Sequence, residues 1–81
     1  MGNGMTSSGP EMLDLRGLRC PLPVLRARKL LAKKQSGFEF VIETTDPLAV
    51  IDIPHLCNED GHALLESTAL ENSHRFHIRK G

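Results

Sequence analysis

The apolar positions of this chain change spacing from segment to segment, and each spacing predicts an element. In MLDLRGL, residues 12–18, Leu13 and Leu15 alternate with Asp14 as in a short strand, and Gly17 breaks the pattern. From Pro21 to about Gln35, Val24, Ala27, Leu30 and Leu31 recur three and four residues apart with most charges opposite them. That spacing predicts a helix, which Ser36-Gly37 stops. FEFVIET, from residue 38, sets Phe38, Phe40 and Ile42 on one face and Glu39 and Glu43 on the other, a second half-buried strand. Asp46 before Pro47 reads as a helix cap followed by proline at the first helical position. Helical sequence continues to Gly61, but Pro54 lacks a backbone donor, so two short pieces are expected, 47–53 and 54–59. HALLEST and HRFHIRK then read as two strands joined by the turn LENS, with Phe76 and Ile78 inward and Arg75, His77 and Arg79 outward.

The order is βαβαββ. A strand, helix, strand unit crosses over right-handed and leaves its strands parallel, whereas the last two strands are close enough in sequence to pair antiparallel. The polar alternation leaves one sheet face to solvent, which puts both helices on the other. The expected fold is an α/β two-layer sandwich with a mixed four-stranded sheet and two helices on one face. It forms a single domain over residues 12–81, preceded by a disordered leader, MGNGMTSSGPE, with almost nothing to bury.

Composition changes this picture little, but charge distribution changes it more. The 81 residues carry no net charge, yet seven of the ten basic residues fall within residues 1–35, against only Glu11 and Asp14. The bases therefore crowd around Arg19-Cys20-Pro21. No window is apolar enough for a membrane span, and no charged and apolar export signal opens the chain, so a cytoplasmic protein with reduced thiols is expected.

Chemistry concentrates in RCPLPVL, residues 19–25. Proline biases the residue before it toward extended angles, the conformation of a helix cap, and Pro21 suits the first helical position. Cys20 is thus expected at the cap of the first helix. Pro23, without an N–H, stiffens the turn and leaves the amides of Leu22 and Val24 among its free donors. A thiol at the positive end of a helix dipole, beside Arg19 and near Arg16, is expected to have a lowered pKa and to be partly ionised at neutral pH. Serine or aspartate would cap better than cysteine, so the choice of a thiol points to chemistry. A C-x-x-C partner is missing, because the fourth position is Pro23, and a thiolate without a resolving cysteine suits transfer of a single group.

LDLRGLRCPLPVLRARK, TDP at 45–47, DIPHLC at 52–57 and the terminal HIRKG resemble the TusA/SirA-like family of small sulfur carriers, whose signature is CPxP after a first strand. The likeness spans residues 13–81 and implies the same βαβαββ sandwich. It further implies that Cys20 accepts sulfur as a persulfide from a cysteine desulfurase or rhodanese-like donor. Cys20 would then pass that sulfur to an acceptor protein, for example in tRNA thiolation, sulfur oxidation or molybdenum cofactor maturation. Such a chain acts as a stoichiometric sulfurtransferase and holds no cofactor of its own. Arg19, Pro21, Pro23 and Asp46 support the thiol, and Arg16, Arg26 and Lys33 on the basic surface are the candidates for docking a partner.

Other features weigh less. Cys57, in the apolar setting IPHLC, reads as an inert core thiol. His74 and His77, three apart on a strand, face opposite ways, and no paired short-spacing motif joins His55, Cys57 and His62, so no metal site is expected. The alternative function is a regulatory module that contacts nucleic acid or an acidic protein through the basic face of the first helix, with Cys20 as a redox sensor. Three Phe as the only aromatics, and zero net charge, argue against direct nucleic-acid binding.

Overall fold

The computed structural model describes residues 10–81, in the order β1 (Glu11–Leu15), α1 (Leu22–Lys33), β2 (Glu39–Thr44), α2 (Ala49–Asp60), β3 (Ala63–Ala69) and β4 (His74–Arg79). The four strands form one sheet in the order β1-β2-β4-β3. β1 runs parallel to β2, with α1 as the crossover between them, while β4 is antiparallel to both β2 and β3. The two-layer βαβαββ sandwich expected from the pattern is the observed architecture.

Strand alternation selects the buried face. Phe40 and Ile42 of β2 stand opposite Ile78 and Phe76 of β4, and all four are fully buried. Against them lie Ala27 and Leu31 of α1 and Ala49, Ile53, Leu56 and Cys57 of α2, which with Leu15 complete one core cluster. Burying each large apolar side chain contributes roughly 1.5–3 kcal/mol, so this shared face is what holds both helices on the sheet. The other face is polar: Arg75 and Ser73 bond Glu43 at 2.9 and 2.8 Å, and His77 pairs with Glu39 at 2.9 Å.

Three boundaries differ from expectation. The leader assigned to residues 1–11 lies outside the described residues through residue 9, and Glu11 already belongs to β1, paired with Phe40. α2 is one helix through Pro54 rather than two pieces. The carbonyl four residues before that proline belongs to exposed Val50, where water can replace the lost donor, and the buried face Ala49, Ile53, Leu56 and Cys57 runs unbroken across the proline. α1 begins at Leu22, not Pro21, which moves the thiol relative to the helix.

Candidate thiol site at the meeting of two helix starts

The segment between β1 and α1 is held at several points. Gly17 takes φ +85°, a left-handed conformation that glycine adopts without steric cost, and its N–H donates to the Thr45 hydroxyl at 2.9 Å. The Leu18 N–H closes a turn onto the Leu15 carbonyl at 3.2 Å. Cys20 and Pro21, joined by a cis peptide bond, sit inside a second turn, closed by the Leu22 N–H on the Arg19 carbonyl at 2.8 Å.

This turn corrects the expected cap. Pro21, not Cys20, holds the N-cap position, Pro23 is the second helical residue and is buried, and the Leu22 amide is already bonded rather than free. Cys20 therefore stands one residue outside the helix. Its backbone is anchored instead from the other side of the site, where its N–H donates to the Asp46 Oδ2 at 2.7 Å.

Asp46 is only 8% exposed, and it organises the entry to α2. Its Oδ1 accepts the Leu48 N–H at 3.2 Å, its carbonyl accepts the Ala49 N–H at 3.1 Å, and its own N–H donates to the Thr44 hydroxyl at 3.2 Å. The cap position of α2 belongs to Leu48, so Asp46 turns the chain two residues ahead of the helix instead of capping it. One carboxylate thus ties the loop carrying Cys20 to the loop that starts α2. Between the two loops lies a cleft of about 650 Å³, lined by Gly17, Leu18, Arg19, Cys20, Thr45, Asp46, Pro47 and Leu48.

The electrostatics around the sulfur reverse the expectation. Cys20 is exposed, and its Sγ lies 3.6 Å from the Asp52 Oδ2. The thiol is raised from its ordinary pKa by local desolvation of the sulfur first, then by the hydrogen bond to Asp52 and the charges of Asp52 and Asp46. The expected lowering fails because the thiol is outside the helix and because acids from the second helix region, not the bases beside it in sequence, face it. The Arg16 guanidinium turns back on Asp14, with bonds of 2.9 and 3.0 Å that hold that carboxyl down at about 2.

Of the residues expected to dock a partner, Arg16, Arg26 and Lys33 are all exposed, but Arg16 is engaged by Asp14. Arg19 is exposed at the rim of the cleft. Exposed Leu22 and Leu25 at the start of α1, and Leu48 and Ile51 at the start of α2, add apolar surface at the same end of the molecule. Cys57 is buried, 2% exposed, and its thiol is pushed up to about 11, by burial first and then by Asp60. Asp52 was not singled out by sequence reasoning as a site residue. The signal available was its place in the DIP stretch, 32 residues from Cys20.

A family model described as "Sulfurtransferase TusA" matches residues 11–80. Two relatives from Neisseria meningitidis, one of serogroup A and one of serogroup B, both named "Putative sulfur carrier protein", are 45% identical over 58 residues. Those residues cover 72% of this chain and 78% of each relative. The crystal structure of a SirA-like protein from Desulfitobacterium hafniense superposes with a TM-score of 0.75 at 22% identity, covering 86% of this chain and 96% of that one. That likeness bears on the fold.

Proposed function

The chain belongs to the TusA sulfurtransferase family, and from that premise we propose that Cys20 is the atom that carries the sulfur, received as a persulfide from a donor protein and handed to an acceptor protein. The observation that carries this reading is the contrast between the two free cysteines: Cys20 is exposed at the mouth of a cleft, and Cys57 is buried in the core. A carrier must meet two partners in turn, so its reactive atom has to be reachable by a residue of another protein.

Loading is an exchange at sulfur. The Cys20 sulfur, as thiolate, attacks the outer sulfur of a donor persulfide; a new S–S bond forms and the donor's S–S bond breaks. The donor leaves as a thiolate and takes up the proton that Cys20 gave up. The sum is donor persulfide plus Cys20 thiol giving donor thiol plus Cys20 persulfide, with no external oxidant. Delivery repeats the exchange with the roles reversed. Asp46 and the prolines at 21 and 23 keep the sulfur on a stiff turn, so little ordering is left to be done when a partner docks.

The donor best suited to this chemistry is a cysteine desulfurase or a rhodanese-like protein, and the reduced thiols it needs are those of the cytoplasm. tRNA thiolation is one pathway that such a relay would feed. Exposed Arg26, one turn into α1, would steer an acidic partner toward the adjoining turn, and Lys33, at the far end of the helix, would extend that basic surface. The test is loading by a purified cysteine desulfurase with cysteine, followed by intact-protein mass spectrometry. A gain of one sulfur atom, mapped to Cys20 and absent in Cys20→Ser, is the expected result; loading of Cys20→Ser would defeat the assignment.

A further inference from the structure

We propose that Asp52 is a positioning residue for Cys20: its carboxylate receives the S–H of that cysteine and holds the sulfur as a thiol in the free carrier. The inference rests on the reading of Cys20 as the sulfur-carrying atom, and it adds a residue from α2 to that site.

Geometry supplies the first support. The Sγ to Oδ2 distance of 3.6 Å falls within hydrogen-bond range for a sulfur donor, and the turn and the bond to Asp46 fix the cysteine backbone from which that donor reaches. A thiol can donate to a carboxylate, whereas a thiolate at the same place could only repel it. The arrangement therefore selects the protonated sulfur.

The groups around Asp52 supply the second support. Asp52 shares a groove between α1 and α2 with Pro21, Val24, Arg28, His55 and Leu56. Both cationic candidates in that groove are turned elsewhere: Arg28 lies 3.4 Å from Glu59 and 3.9 Å from Asp60, and the His55 Nε2 lies 3.4 Å from Glu59. Among the described residues no basic nitrogen lies within 4.0 Å of the Asp52 carboxylate, so no ion pair at that range competes with the sulfur for it. Asp46 adds a second negative charge from the loop before α2, and Arg19, the only base adjacent to Cys20 in the chain, is exposed to solvent. The raised pKa of the thiol agrees with this arrangement.

The functional consequence is selectivity. A carrier whose sulfur rests as a thiol reacts slowly with small electrophiles and oxidants, which attack thiolates. Its reactivity rises when the Asp52 charge is offset.

The test follows iodoacetamide alkylation over pH in the full chain, with Cys20 and Cys57 separated by peptide mapping, for wild type, Asp52→Asn and Asp52→Glu. Asp52→Asn should move the Cys20 midpoint to lower pH and speed its alkylation several-fold at neutral pH, while Asp52→Glu stays near wild type. Thermal melts verify that each variant is folded, and Cys57 in the same samples reports any general loosening. An Asp52→Asn midpoint that is unmoved, or moved upward, in folded protein overturns the proposal. Desulfurase loading of the same wild-type sample separates the two readings. Wild type that loads while Asp52→Asn leaves the profile unmoved defeats only the role of Asp52; wild type that loads no sulfur defeats the carrier reading and this inference with it.

Discussion

Cys57 lies in the core with its thiol pushed from an ordinary 9.0 to about 11, by burial first and then by Asp60. The folded protein therefore keeps the neutral thiol more strongly than the unfolded chain does. Because the folded pKa is the higher one, the resulting stability is fully present below pH 9.0 and is lost as pH rises toward about 11. We expect urea midpoints to fall across that window, and Cys57→Ala to flatten that part of the fall while lowering stability by roughly 1–2 kcal/mol at neutral pH, within the usual range for a single core change. Sulfur loading by Cys57→Ala, measured by mass, should match wild type. Asp46 is the other residue whose loss should be felt. Asp46→Ala strands the Cys20 and Leu48 N–H groups, and charged hydrogen bonds of this kind contribute roughly 1.5–3 kcal/mol. Denaturation should show a loss of about that size, and the rate of sulfur loading should drop because the turn carrying Cys20 is no longer anchored.

At the scale of elements, α2 carries an interior proline that packing overrides. The buried face Ala49, Ile53, Leu56 and Cys57 continues through Pro54, and left-handed Gly61 at φ +78° closes the helix with its N–H on the Cys57 carbonyl. Pro54→Ala restores a donor for the Val50 carbonyl but loses the stiffness proline gives the unfolded chain. The net expectation is a gain of about 1 kcal/mol in equilibrium unfolding, and a loss would mean that proline fits this position without strain. β3 is the opposite case, an edge strand that is mostly exposed and interrupted by an irregularity between Leu64 and Glu66. Such an interruption blunts an edge that would otherwise offer a straight row of unpaired backbone groups.

For the molecule as a whole, the two helix starts converge on one end of the sandwich, where the cleft, the thiol, exposed leucines and part of the basic surface of α1 are found together. Exposed charges along α1, from Arg26 near its start to Lys33 at its far end, act over about 8 Å at physiological salt, so they influence encounter more than chemistry. Arg26→Glu combined with Lys33→Glu should slow sulfur transfer from a desulfurase several-fold at low salt and much less at high salt. Stopped-flow loading at two ionic strengths checks this, and equal rates for wild type and variant at both would return those residues to ordinary solvated surface.

Periodicity alone determined much of this protein. Alternation in FEFVIET and HRFHIRK buries Phe40, Ile42, Phe76 and Ile78 as expected, because a strand has only two faces and one must meet the helices. That a thiol stands close to the start of the first helix was also legible, since RCPLPVL is a local signal, but the sequence put it at the cap, which Pro21 occupies instead. The electrostatic surroundings of that thiol were not legible. Sequence neighbours suggested arginines and a helix dipole, but Arg16 is held by Asp14, Cys20 falls outside the helix, and the charges that face the sulfur come from Asp46 and Asp52, 26 and 32 residues away. Electrostatic interaction depends on distance in space, and it is the pairing of β1 with β2 that brings the Asp46 loop, and the packing of α2 beside α1 that brings Asp52, to the cysteine.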